Sequence, residues 1–141
     1  MMNHKSRNAF SLIEMVIVIL IMGIIAAVAA PRMFDTARSA EENTTRQQLA
    51  VMRNAIEMFR ARNATYPLVN DLPNAMTTML NGPFPTPMVG TARGVSGVLY
   101  DSTTTDDAAA VDVNANAGWV YKPHNGSLRI NVAAGTTGSD W

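Results

Sequence analysis

Acidic side chains stand at two places where this sequence could support chemistry. Glu14 lies near the start of a run of 21 almost wholly apolar residues, 10–30, and an aspartate-rich segment occupies residues 101–116. A charge at membrane depth costs roughly 2.5–3.5 kcal/mol on insertion scales, so Glu14 needs a partner or a function. Aspartate oxygens bind hard cations, so the second segment could bind a metal ion.

Residue patterns typical of enzymes are absent from the sequence. Its two histidines, His4 and His124, are far apart, and it has no glycine-rich phosphate loop, nucleophile elbow or Cys-His arrangement. Asp106 and Asp107 are consecutive, so in an extended chain they point to opposite sides, which is poor geometry for paired-carboxylate catalysis. We therefore expect that the protein is not an enzyme.

Composition limits the size of the protein and its possible partners. The chain has 141 residues, 11 basic and 11 acidic side chains, and no cysteine. With about 20 residues in a membrane, roughly 80–110 remain, which is enough for one small domain. The basic residues do not cluster as a nucleic-acid site would require. The absence of cysteine excludes disulfides and thiolate metal sites.

The apolar run predicts the first half of a long helix. Pro31 follows it and cannot donate a backbone hydrogen bond, so the helix should kink or loosen there. Residues 31–62 predict an amphipathic second half, because apolar side chains recur at helical spacing in Leu49, Met52, Ile56 and Phe59. The Tyr66-Pro67 pair predicts an end near Asn63. A coiled-coil neck is the alternative interpretation of this half.

Residues 63–141 predict a small head with an antiparallel sheet, which makes the fold class α+β. A short helix is expected within residues 72–80 and a strand within 95–100. Asn125-Gly126 separates two β-rich segments, 119–122 and 128–132, and predicts a hairpin. Trp119 and Tyr121 share one face of the hairpin and are expected to pack against the long helix.

The N-terminal residues carry a resemblance to a known family. A basic leader at residues 1–9 ends in the small residue Ala9, and Phe10-Ser11-Leu12-Ile13-Glu14 then opens the long apolar helix. This pattern resembles the N-terminus of type IV pilins and of type II secretion pseudopilins. An ordinary signal peptide would have a shorter apolar core, of 7–15 residues. A plain single-pass anchor is the other alternative.

The resemblance implies a role for each N-terminal site residue. A prepilin peptidase would cut before Phe10, and the new amine of Phe10 would be methylated. Glu14 would pair with that amine on a neighbouring subunit, which would make assembly selective. Gly23 would let helices approach closely, and the helix around Pro31 could extend or melt in a filament. Ala9 departs from the glycine that the family usually has before the cut.

The resemblance also implies location, partners and function. We expect a single-pass protein of the bacterial inner membrane, with a cytoplasmic N-terminus and a periplasmic head, that joins a filament after assembly. Its partners would be further copies of itself, minor pseudopilins, the prepilin peptidase and the inner-membrane assembly platform. The short, cysteine-free head favours the major pseudopilin of a type II secretion system. A type IV pilin, or a membrane protein that binds a partner without polymerising, are the alternatives.

Calcium is the one cofactor that the resemblance suggests, because major pseudopilins commonly bind it in a loop of the head. The first candidate ligands are Asp106, Asp107 and Asp112. Their spacing is not that of an EF-hand. A solvated loop between strands, typical of such Thr, Ala and Asp content, is the alternative.

Overall fold

The structure, a computed structural model, describes residues 11–141 and begins with one long helix. Helix α1 covers Leu12–Asn63, so the predicted long helix is confirmed. It continues through Pro31 without interruption. At its end Ala64 adopts a left-handed φ of 60°, and the side-chain amide of Asn63 donates to the carbonyl of Phe59 at 2.9 Å. These contacts satisfy groups that the end of a helix leaves without partners.

The chain divides into two compact units. The first extends to Arg38 and consists, within the described residues, of α1 alone. The second, Ser39–Trp141, is called the C-terminal unit below; it combines the last part of α1 with the residues predicted as the head.

The C-terminal unit adds one short helix and three short strands to α1. Helix α2 covers Leu72–Thr77 and has its proline in the first turn. A single 3-10 turn, Gly90–Ala92, precedes the sheet. Strands β1, β2 and β3 cover Val98–Tyr100, Trp119–Lys122 and Ser127–Ile130, and the predicted hairpin is confirmed as the β2–β3 pair.

The sheet is mixed, which corrects the expectation of an antiparallel sheet. Its order is β1-β2-β3; β2 pairs with β3 in the antiparallel sense but with β1 in the parallel sense. Parallel neighbours need a crossover of a dozen or more residues. Residues 101–118, which we call the crossover segment, provide it and contain no helix or strand.

The core lies between the last part of α1 and the sheet. Leu49, Met52 and Ile56 of α1 are almost fully buried, as their helical spacing predicts. Trp119 and Tyr121 of β2 join the same cluster, which confirms their expected packing. The indole Nε1 of Trp119 donates to a loop carbonyl at 2.8 Å, and the Tyr121 hydroxyl does so at 3.0 Å, so neither polar atom is buried without a partner.

Candidate functional site

The first half of α1 exposes its apolar side chains on every face. All side chains from residue 11 to residue 40 are exposed, and even the large ones are open, with Leu12 at 81% and Ile19 at 64%. Within the described residues this is the one helix long and apolar enough to cross a membrane. So large an apolar surface needs a lipid or protein partner.

Two of the predicted assembly residues lie on this exposed helix. Glu14 is in the first turn of α1 and its side chain is exposed. Gly23 is equally open, because a Cβ added there would meet no atom within 4 Å. Ala27 lies one helical turn beyond Gly23, so the two form a small face that another helix could approach closely.

Of the remaining N-terminal site residues, one lies in the helix and two lie outside the described residues. Pro31 lies inside α1, where it cannot donate to the carbonyl of Ala27, so the expected loosening consists of one missing hydrogen bond in a continuous helix. Ala9 and Phe10, the residues of the predicted cleavage site, lie outside the described residues, as does the rest of the leader.

The three aspartates expected to bind calcium have separate partners. Asp106 Oδ1 lies 3.4 Å from His124 Nε2, whereas Asp107 forms an ion pair with Lys122. Asp112 accepts the backbone N–H of Asn114 at 3.0 Å. Across residues 11–141 no group of three or more His, Cys, Asp or Glu side chains could hold a metal ion.

The side chain of Lys122 contacts oxygens of the aspartate-rich segment that would otherwise be available to a metal ion. Its side chain is fully buried. The ammonium donates to Asp107 Oδ1 at 2.6 Å, to Thr105 Oγ1 at 2.8 Å and to the carbonyl of Asp107 at 3.2 Å. The same contact lowers the pKa of the Asp107 carboxyl. With an ammonium already bonded to these oxygens, the donor set does not fit a calcium ion.

Asp101 organises the start of the crossover segment. Its Oδ1 accepts the N–H and hydroxyl of Thr103 at 3.0 and 2.7 Å, and its Oδ2 accepts the N–H of Ala110 at 2.9 Å. Hydrogen bonds from the Ala110 and Thr103 amides lower the pKa of Asp101 to about 2. Oδ2 also lies 3.8 Å from the Lys122 ammonium.

Sequence reasoning missed Lys122 and Asp101 as a connected pair. Along β2, Lys122 alternates with Tyr121, so strand geometry places it on the face opposite Trp119 and Tyr121, and a lysine there normally reaches solvent. The available signal was composition: the chain has two lysines, and Lys5 lies in the leader.

A shallow groove beside α1 offers no chemistry of its own. Side chains of α1 form one wall and the loop after α2 forms the other. None of its lining residues is titratable: Thr44, Gln47, Gln48, Val51, Leu80, Asn81, Gly82, Pro83 and Pro85. Acid–base catalysis needs a titratable group within hydrogen-bond reach of the substrate, and this lining supplies none.

Comparison with known protein families gives a match in the same region as the exposed apolar helix. The family described as "Prokaryotic N-terminal methylation motif" matches residues 4–30, which contain Glu14 and the whole apolar run. No solved structure matches the chain.

Relatives with curated descriptions share one name, type II secretion system core protein G. The protein of Vibrio cholerae serotype O1 is 25% identical over 85 residues, covering 60% of this chain and 58% of the relative. That of Klebsiella michiganensis is 27% identical over 77 residues, covering 55% and 54%. That of Aeromonas hydrophila is 27% identical over 66 residues, covering 47% and 46%.

The chain spans about half the length of the curated relatives it matches. Their shared name describes a component of a secretion system, in agreement with the expectation that the chain is not an enzyme. With its long exposed helix and small mixed sheet, the chain has a pilin-like α+β architecture, carries the prokaryotic N-terminal methylation motif and is similar to core protein G of type II secretion systems.

Proposed function

We propose that the protein is a structural subunit of a type II secretion pseudopilus that polymerises through α1 to drive protein export. The observation that carries this proposal is the apolar half of α1, which is exposed on every face and has Glu14 in its first turn. A surface of that size is stable in a lipid bilayer before assembly and against other helices after it. The methylation motif covers the same residues.

The precursor is held in the inner membrane with its N-terminus in the cytoplasm. Lys5 and Arg7 precede the apolar run, and basic residues favour the cytoplasmic side of a membrane helix. A prepilin peptidase removes residues 1–9, and the amine of Phe10 is methylated. The C-terminal unit then lies in the periplasm, where minor pseudopilins and the assembly platform are its expected partners.

Glu14 selects the register of assembly. Its carboxylate is costly in a bilayer when it has no partner. The amine of Phe10 stays positively charged after methylation, so the Phe10 amine of a neighbouring subunit can neutralise Glu14. Only a subunit that adds in the correct register brings the two charges together. The cost of the unpaired acid therefore favours correct addition.

Replacing Glu14 tests this function. Glu14→Leu should leave membrane insertion intact or better and should abolish or strongly reduce filaments, since no register-specific pair remains. Membrane fractionation, electron microscopy of filaments and export of a reporter substrate measure the three outcomes. Asp35→Asn is the matched control, because it removes one exposed charge from α1 beyond the apolar run. Normal filaments from Glu14→Leu would refute the role of Glu14.

Sequencing the N-terminus of the mature protein distinguishes the remaining alternatives. A chain that begins at Phe10 supports a processed filament subunit. Retention of Met1 would favour a single-pass membrane protein that binds a partner without polymerising. A type IV pilin would also begin at Phe10, but it would support twitching or DNA uptake rather than export of the reporter.

A further inference from the structure

The buried ammonium of Lys122 is surrounded by the kinds of oxygen that a hard cation prefers. Carboxylate, backbone carbonyl and hydroxyl oxygens come from Asp107 and Thr105, and the Asp101 carboxylate adds a second negative charge at 3.8 Å. Calcium sites in proteins use carboxylate and backbone carbonyl oxygens. In this chain the position among these oxygens is occupied by the ammonium of Lys122, a residue of strand β2.

The contacts around Lys122 connect the crossover segment to the sheet. Lys122 reaches the segment from β2, and Asn125 of the hairpin turn donates to the carbonyl of Asp107 at 2.9 Å. Ser127 of β3 accepts the N–H of Ala109 at 3.2 Å, and Ala109 is fully buried. A segment without regular secondary structure is thus held by side chains from three successive parts of the hairpin.

We propose that Lys122 takes the place of a divalent cation in the C-terminal unit, so that the crossover segment folds onto the sheet without calcium. Two positive centres cannot share one set of oxygens, because like charges at such distances repel strongly in a partly buried site. The lysine is part of the chain, so its contribution is independent of the calcium concentration. This inference concerns the stability of the unit and holds whatever the protein assembles into.

Thermal unfolding of the full-length protein in detergent tests the proposal directly. The Tm of the natural protein should agree within about 1 °C between a chelator and about 1 mM calcium chloride. Isothermal titration with calcium chloride should show no binding in the same concentration range. A Tm that rises with calcium, or a titration with one saturable site, would overturn the proposal.

Two substitutions of Lys122 test whether the surrounding oxygens can bind calcium once the ammonium is removed. Lys122→Ala removes the ammonium and leaves space for an ion, whereas Lys122→Met removes the charge but keeps much of the volume. Both should lower the Tm in chelator. Calcium should then raise the Tm of Lys122→Ala by about 4 °C or more and leave Lys122→Met unchanged. An alanine variant that folds but ignores calcium would contradict the cation-like character of the site.

Substitutions of the neighbouring Asp106 and Asp107 give a second test, which does not depend on the Lys122 variants. Asp107→Asn should lower the Tm in chelator and in calcium alike, because it weakens the ion pair with Lys122. Asp106→Asn should have little effect, since the Asp106 side chain is 97% exposed and pairs with His124 instead. Equal effects of the two substitutions, or effects that appear only in calcium, would contradict the assignment.

Discussion

At the scale of the residue, Asp101 shows how one carboxylate can order an irregular segment. Its two oxygens accept hydrogen bonds from two backbone amides and one hydroxyl of the crossover segment, and its side chain is only 7% exposed. These bonds favour the ionised form, so the pKa of Asp101 is about 2 in the folded protein. An unfolded aspartate has a pKa of about 3.9.

The lowered pKa of Asp101 predicts a loss of stability in acid. The contribution of Asp101 is fully present above about pH 4 and is lost as pH falls through about 2, because the folded carboxyl then takes up a proton. Asp101→Asn should lower the free energy of unfolding by about 1–3 kcal/mol at neutral pH and weaken this acid dependence. Urea titrations from pH 5 to about pH 2 measure both effects. Asp106→Asn, as control, should retain the acid dependence.

A second prediction at this scale concerns Gly126 in the hairpin turn. Its φ is 73°, and a Cβ added there would lie 2.3 Å from the ring of Tyr66. Gly126→Ala should therefore destabilise the unit by about 2–4 kcal/mol, through backbone strain and through displacement of Tyr66. Chemical denaturation measures the loss.

Gly135 provides the control for Gly126. It has nearly the same φ, 77°, but a Cβ added there would meet no atom within 4 Å. Gly135→Ala should cost only the backbone strain, about 1 kcal/mol. When Tyr66 is first replaced by alanine, the loss of stability caused by Gly126→Ala should fall towards that caused by Gly135→Ala. Equal losses of stability at the two glycines in the natural protein would show that Tyr66 does not contribute.

At the scale of the element, α1 is one helix with two kinds of surface. Up to residue 40 no face is covered, whereas Leu49, Met52 and Ile56 pack into the core. The first part therefore depends on partners outside the chain, while the second is stabilised by its own domain.

The open face at Gly23 predicts an effect on association without an effect on folding. Gly23→Leu should leave the helix intact, since leucine has the higher helix propensity and a Cβ at this position would meet no atom within 4 Å. It should reduce cross-linking between subunits and the yield of filaments, because the helices can no longer approach closely at that point. Gly23→Ala should retain most of the assembly. Normal filaments from Gly23→Leu would place the contact elsewhere on α1.

At the scale of the whole molecule, the two compact units should respond differently to denaturant. Within the described residues, the unit that extends to Arg38 is a mostly apolar helix, and a detergent micelle keeps such a helix folded because its backbone has no other hydrogen-bond partners there. The C-terminal unit contains both tryptophans, Trp119 in the core and Trp141 under the guanidinium of Arg46, 4.3 Å from the ring centroid.

Urea should therefore unfold the full-length protein in detergent in a way that separates the two units. Tryptophan fluorescence should change in one cooperative transition, while roughly half of the circular dichroism signal of α1 persists. Trp119→Ala should shift the fluorescence transition of Trp141 to lower urea by an amount equivalent to about 3–5 kcal/mol and leave the persistent helix signal unchanged. Simultaneous loss of both signals would show that the units unfold together.

The sequence by itself determined the features that depend on near neighbours in the chain. The apolar run, the spacing of Leu49, Met52 and Ile56, and the Asn125-Gly126 turn predicted α1, its buried face and the β2–β3 hairpin. Each is a matter of helical period or turn chemistry within about a dozen residues. The membrane location was likewise predicted from local sequence, because the charges of Glu14 and the leader and the length of the apolar run need no tertiary contacts to be recognised.

Only the tertiary structure decided the parallel pairing of β1 and the surroundings of Lys122. Both depend on how the crossover segment returns to the sheet, and that segment has no periodic pattern from which its path could be predicted. Lys122 meets Asp107 and Asp101, 15 and 21 residues away in sequence, only after the path is set. A buried charge is stable only when such partners converge on it, and that convergence is a property of the fold rather than of any local stretch of sequence.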